Sequence, residues 1–223
     1  DDMLSSTSNT LSSSIQSFFS SVQTLVSNAS DPSARQAVLG KAEGLVNQFK
    51  VTNTYLSNMD TSLNTSISST VDQVNTYAKS IANINQQIAK LTNTSAGSDP
   101  NDLLDQRDRL VNELNNLVGV TVSQQDGTSY NISIGNGISL VNGSSVYELA
   151  AEPSSSDPGR TTIATVNSKT GTTSEIPESQ FTTGELGGLL AFGSDLDRTR
   201  NQVRPLALPL GDIRRPRLAP TDA

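Results

Sequence analysis

Sixty-seven residues without a proline, from Ser33 to Asp99, constrain this chain more than any other feature. The run opens at Ser30-Asp31-Pro32, where Ser30 or Asp31 can cap a helix and Pro32 suits the first helical position, since its missing N–H has no partner there anyway. Apolar residues then recur at Val38, Leu45, Phe49, Leu56, Met59, Leu63, Ile67, Val71, Val74, Ala78, Ile81, Ile88 and Leu91. Most are three or four positions apart, which places them in one stripe along a helix. Unbroken, about 60 residues at roughly 1.5 Å each make a rod of about 90 Å, with a kink allowed around Val51 to Tyr55. Propensity does not hold such a helix together. Leu63 to Thr70 is rich in β-branched and hydroxyl residues, and Gly40 and Gly44 each cost up to about 1 kcal/mol, so the stripe requires partner helices.

The flanking sequence supplies them. Residues 8–29 carry Leu11, Ile15, Phe18, Phe19, Val22, Leu25 and Val26 at helical spacing, and residues 28–32 break the chain so that this helix folds back on the next. Asp99-Pro100 opens a third helix over 100–118, with Leu103, Leu104, Leu110, Val111, Leu114, Leu117 and Val118 on one side and Gly119 as its stop. The period then changes from helical to two. Val120 and Val122, then Tyr130, Ile132 and Ile134, then Ile138 and Leu140 alternate with polar neighbours, and Asp126-Gly127 and Asn136-Gly137 supply the turns. The expected meander continues through 146–150 and 161–166, with a Pro/Ser/Asp loop at 152–159, a turn at 169–173, and an edge or loop at Glu175-Ile176 imposed by Pro177. A helical period returns from Thr183 through Leu186, Leu189, Leu190, Phe192, Leu196 and Val203.

The expected fold is therefore mostly α with a β-rich insertion: an elongated helical bundle rod carrying a small antiparallel β domain. Its parts are a rod over 1–119, a separable β-rich domain over 120–183, a returning rod helix over 184–203 and an irregular tail over 204–223. The tail contains Pro205, Pro209, Pro216 and Pro220, which argue against continuing the helix.

Composition removes function classes. Cysteine, histidine and tryptophan are absent from the 223 residues, which excludes disulfides, Cys/His metal sites and histidine-dependent catalysis. A formal charge of −7 with 4% aromatics argues against nucleic acid and anionic membrane partners. No run approaches a membrane span, and Asp1 to Ser6 lacks the basic and apolar regions of a secretory signal, so the chain is expected to be a fragment or to leave the cell without a cleaved signal.

The densest charge cluster is Asp99, Asp102, Asp105, Arg107, Asp108, Arg109 and Glu113. Paired carboxylates can serve acid/base or metal chemistry, but acids in the first turns of a helix favour its dipole and Asp105 with Arg109 is an i,i+4 pair; the cluster reads as a solvated face. Gly184-x-x-Gly187-Gly188 matches neither a Walker loop nor a dinucleotide fingerprint and reads as a turn into a helix. Sequons at Asn28, Asn64, Asn93, Asn131 and Asn142 are expected by chance in so Asn/Ser/Thr-rich a chain. No catalytic, cofactor-binding or metal-ligating residue is assigned, and no cofactor.

In this order the residues resemble one family, the flagellar hook-associated protein 1 that forms the first junction layer between hook and filament. The resemblance is carried by residues 18–28 (FFSSVQTLVSN), 31–36 (DPSARQ), 44–49 (GLVNQF) and 83–88 (NINQQI), and most strongly by 100–114 (PNDLLDQRDRLVNEL). It implies a helical domain with β-rich parts carried outward, and an extracellular structural adaptor that acts by packing. It also implies export without a cleaved signal, and contacts with its own copies and with neighbouring hook and filament proteins. Terminal segments that drive assembly in the family have no counterpart here, so the isolated chain is expected to be monomeric and the tail after Thr199-Arg200-Asn201 to depart from the family. The alternative from another class is an adhesin-type binding module using the β-rich region, where Tyr130 and Tyr147 are the only aromatic platforms before Phe181.

Overall fold

The computed structural model describes residues 2–93, 100–125 and 129–212, with side chains described for 9–92, 100–124 and 129–203. Four helices, α1 (Asp2–Ser27), α2 (Pro32–Asn93), α3 (Asn101–Leu117) and α4 (Gly184–Asp212), accompany seven strands. The strands are β1 (Val120–Gln125), β2 (Ser129–Ile134), β3 (Ile138–Asn142), β4 (Ser145–Val146), β5 (Leu149–Pro153), β6 (Thr161–Val166) and β7 (Thr173–Glu175). The chain divides into two compact units, one of residues 1–59 and 195–223, the other of 60–194.

In the first unit Asp31 supplies the expected cap: its carboxylate accepts the Ser33 N–H at 2.8 Å, and α2 begins at Pro32. No break occurs at Val51 to Tyr55. Leu11, Ala34, Leu45, Thr52, Leu56 and Leu196 are buried.

The second unit has one core. Leu63, Ile67, Val71, Val74, Ala78 and Ile81 of α2 pack with Leu114 and Leu117 of α3, Ile132, Ile134, Leu140 and Val141 of β2 and β3, Leu149 and Ile163 of β5 and β6, and Leu186 and Leu190 of α4. This corrects the expectation of a separable β domain over 120–183. The physical reason is size: strands of two to six residues bury too little apolar surface to stand alone and need a helix face to complete them.

The single meander is corrected as well. Antiparallel order β1-β2-β3-β4 forms one sheet and β5-β6-β7 another, because the expected strand 146–150 is broken at Tyr147 and Glu148. A bulge follows from the register: Ile132 pairs with Val141 but Ser133 with Ser139, leaving Leu140 as the extra residue. Strict alternation fails there, and Leu140 and Val141 are both buried. Gly135 (φ 51°) and Gly137 (φ 97°) turn β2 into β3 around Asn136; the Asp126-Gly127 turn lies outside the described residues.

Two helix ends differ from expectation. Pro100 stands before α3 as its cap residue, its carbonyl accepting from the Leu103 and Leu104 N–H groups at 3.0 Å each, and Asp99 lies outside the described residues. At the other end of the chain α4 runs on to Asp212, through Pro205 and Pro209, where an irregular tail was expected. Proline's fixed φ is itself helical. What each proline forfeits is one hydrogen bond to the residue four before it, at a cost of about 3 kcal/mol, so a helix can continue where its other bonds hold.

Candidate functional site: an asparagine ladder on the long helix

Three asparagines of α2 hold the backbone of the β segments. The Asn64 amide donates to the Gly159 carbonyl at 3.1 Å, and its oxygen accepts the Thr161 N–H at 3.2 Å. Asn75 grips both backbone groups of Leu149, donating to its carbonyl at 2.8 Å and accepting from its N–H at 2.9 Å. Asn85 donates to the carbonyls of Tyr130 (2.9 Å) and Gly143 (2.8 Å) and accepts the Tyr130 N–H (3.3 Å). Intervals of 11 and 10 residues are each about three turns, so the three amides recur along α2 beside its apolar stripe. Each one satisfies backbone groups at a β5 or β2 strand or at the start of β6 that the sheets leave open, and thereby fixes where along α2 that segment sits.

Arg107 joins the last rung. It is 2% exposed, donates from Nη1 to Asn85 Oδ1 at 3.1 Å, and its guanidinium carbon lies 3.5 Å from the Tyr130 ring centroid. With that bond Asn85 uses both amide hydrogens and both oxygen lone pairs. Placing Arg107 on a solvated face was therefore wrong. Its position four after Leu103, three before Leu110 and seven before Leu114 puts it in the apolar stripe of α3, where an arginine is retained only if its charge finds a ring and an acceptor. The rest of that cluster, Asp102, Asp105, Asp108, Arg109 and Glu113, is exposed.

The second sheet is tied similarly. Arg160, just before β6, pairs with Glu178 at 2.8 Å and donates to Ser194 Oγ of α4 at 3.1 Å. Buried Thr70 donates to Glu185 at 3.2 Å, joining α2 to the start of α4. That start is where the glycine cluster acts. Gly184 has φ 78°, and a Cβ there would lie 2.8 Å from the Leu117 carbonyl oxygen; a Cβ at Gly187 would lie 2.9 Å from that of Phe181. Gly119 follows the end of α3, whose cap residue Val118 is already extended. Its missing Cβ makes room for the Thr183 side chain, and its N–H donates to the Thr183 carbonyl at 3.4 Å.

Among the described residues no group of three or more Asp and Glu is placed to hold a metal ion, and no helix is long and apolar enough to cross a membrane. A groove of about 640 Å³ runs beside β3 and the β6–β7 turn, lined by Tyr147, Thr165, Asn167 and Lys169 among others. Of the two tyrosines considered as platforms, Tyr130 lies under Arg107 and Tyr147 is 47% exposed. Of the sequon residues, Asn64 is a rung of the ladder and Asn131 accepts the Gly143 N–H at 2.9 Å.

These features define a protein of the helical-bundle class, in which the polar side chains described above lock one backbone segment against another. The chain belongs to a family of the bacterial flagellum: residues 1–213 match the flagellar hook-associated protein FlgK helical domain. It is 58% identical to flagellar hook-associated protein 1 of Salmonella typhimurium over 213 residues, 95% of this chain and 38% of that protein. The corresponding figures for the Escherichia coli K12 protein are 56%, 95% and 39%. The structure of the flagellar hook junction protein FlgK from Burkholderia pseudomallei superposes with a TM-score of 0.75 at 38% identity, covering 82% of this chain and 33% of that one. The chain thus spans under two fifths of the length of these relatives. The family match includes residues 204–213, where the sequence had suggested a departure.

Proposed function

We propose that this chain is the helical portion of a junction subunit that connects hook and filament of the bacterial flagellum, outside the cell, by packing against its own copies and neighbouring hook and filament proteins. What carries this reading is the match over residues 1–213 to the helical domain of the hook-associated protein. The mechanism is geometric. A junction between two differently packed assemblies needs a subunit whose parts keep their register under load, and the ladder of Asn64, Asn75 and Asn85 supplies fixed register in the second unit. Function is exercised through surfaces rather than catalysis; the chain contains neither histidine nor cysteine to activate a nucleophile.

The test is complementation. A bacterium lacking its hook-associated protein 1 is given the intact protein with this segment in place of its own, and hooks are viewed by electron microscopy. Filaments attached to hooks are expected. Bare hooks, with the hybrid protein folded and exported, would overturn the reading.

A further inference from the structure

Asparagine followed by glycine occurs twice in the chain, at Asn136-Gly137 and Asn142-Gly143. Such a pair carries its own chemistry. Glycine has no Cβ to shield its backbone nitrogen, which can approach the amide carbon of the preceding side chain. Both asparagines are exposed, and among the described residues neither side-chain amide makes a hydrogen bond. What differs is how the fold holds the nitrogen that must attack.

Gly143 is clamped. Its N–H donates to Asn131 Oδ1 at 2.9 Å, and its carbonyl accepts from Asn85 Nδ2, the innermost rung of the ladder, at 2.8 Å. Asn142 itself lies in β3, paired with Asn131 on one side and Ser145 on the other. Freeing the Gly143 nitrogen therefore means pulling backbone off a side chain that is 1% exposed.

Gly137 is held by much less. Gly135, Asn136 and Gly137 form an exposed turn between β2 and β3, and both glycines have positive φ. The Gly137 N–H donates to the Ile134 carbonyl at 3.2 Å, and the Asn136 N–H donates to Gln180 Oε1 at 2.8 Å in a bond that is itself exposed. Exposed turn tips open more readily than paired strands tied to a core, and only an open turn lets the nitrogen reach the side chain.

We propose that Asn136 is a site of spontaneous deamidation through a succinimide, and that Asn142, in the same dipeptide, is protected by Asn131 and the asparagine ladder. Once solvent base has taken the Gly137 N–H proton, the nitrogen attacks Asn136 Cγ. A Cγ–N bond forms, the Cγ–Nδ2 bond breaks, and ammonia leaves with a proton from water. Hydrolysis opens the ring: water adding at Cγ leaves an aspartate, and water adding at the backbone carbonyl leaves an isoaspartate whose chain runs through Cγ. Nothing is oxidised or reduced; the sum is one water consumed and one ammonia released. Either product adds a negative charge to a chain of net charge −7, and the isoaspartate puts an extra carbon into the backbone of a turn whose flanks, Ile134 and Ile138, are paired. The proposal is independent of the junction reading.

The full 223-residue chain, folded or unfolded in guanidinium chloride, is incubated in warm, mildly alkaline buffer and digested with trypsin. No Lys or Arg lies between Leu110 and Gly159, so both pairs fall in one peptide, and its fragment ions locate the gain in mass from amide to acid. In the unfolded chain the two should react at similar rates. In the folded chain Asn136 is expected to react roughly tenfold faster than Asn142 or more, tenfold being a bias of about 1.4 kcal/mol. Asn131→Ala, which removes the acceptor of the Gly143 N–H, should speed Asn142 and leave Asn136 unchanged; Asn131→Asp, which keeps an acceptor there, should restore the protection. A rate ratio in the folded chain no greater than in the unfolded chain overturns the proposal, and so does a folded chain inert at both positions. An Asn142 rate indifferent to Asn131→Ala, in a variant that keeps its circular dichroism, overturns it as well.

Discussion

The guanidinium of Arg107 lies 3.5 Å above the ring of Tyr130, and Asn85, which accepts from that guanidinium, holds both backbone groups of the same tyrosine. α2, α3 and β2 therefore meet at one closed set of contacts rather than across a general apolar seam. A cation over a desolvated ring contributes up to about 2 kcal/mol, and a hydrogen bond to a charged group about 1.5–3 kcal/mol.

Arg107→Lys keeps the charge and loses the planar fork that can stack and donate together. A loss of roughly 2 kcal/mol is expected in urea denaturation, and a larger loss for Arg107→Ala. If the lysine variant unfolds at the same urea concentration as the parent, the stacked geometry contributes nothing.

The ladder predicts a ranking. Asn85 is 1% exposed, whereas Asn64 and Asn75 are half-buried, and Asn85 has four hydrogen bonds where each of the others has two. Truncation strands more unsolvated backbone at the deeper rung. Asn85→Ala should cost about 3 kcal/mol and Asn64→Ala about 1 kcal/mol, with Asn75→Ala between them. Denaturation of the three variants side by side decides it; a reversed order would mean that burial does not set the cost.

How much of this was legible is clear from individual residues. The helices and most strands followed from periodicity, and Asp31-Pro32 marked the start of α2 to the residue. Asn64, Asn75 and Asn85 were hidden because a polar residue beside the stripe reads the same whether it meets water or a strand backbone; only the partner segment distinguishes them. Arg107 left a signal, a charge at a stripe position, that a cluster of neighbouring acids masked. Ile138 and Leu140 read as a simple alternation, without Val141, because a bulge is a property of two strands, not one. The tail misled because proline's cost was weighed without the rest of α4 that absorbs it.

The shared core makes the β segments indispensable to the second unit. Replacing 120–181 with a short Gly/Ser linker removes Ile132, Ile134, Leu140, Val141, Leu149 and Ile163 from the core that Leu63, Ile67, Val71 and Val74 share, leaving only the α3 and α4 members. The product should aggregate or lose cooperative melting by circular dichroism. A soluble product with a sharp transition at the parental temperature would show that the helices carry their own core.

Glycines of α4 four positions apart should respond to alanine with opposite signs. Gly184 has φ 78°, and its added methyl would sit 2.8 Å from the Leu117 carbonyl oxygen, 2.9 Å from the Leu117 carbonyl carbon and 2.9 Å from the Val118 Cα. All three contacts are backbone, which cannot swing aside as a side chain can, and left-handed geometry penalises the Cβ independently by roughly 1–2 kcal/mol. Gly184→Ala should therefore destabilise by about 2 kcal/mol or more. At Gly188, inside the same helix, an added Cβ meets nothing within 4 Å, and alanine restricts the unfolded chain and favours the helix by about 0.5–1 kcal/mol. Melting midpoints measured on both single variants and the pair test the argument. A fall at Gly184 with a rise at Gly188 is the expected result, and the two should combine additively unless the start of α4 moves. A Gly184→Ala chain as stable as the parent would mean that the turn into α4 relaxes away from Leu117, so that the close approach is not a constraint on how the β segments return to the helices.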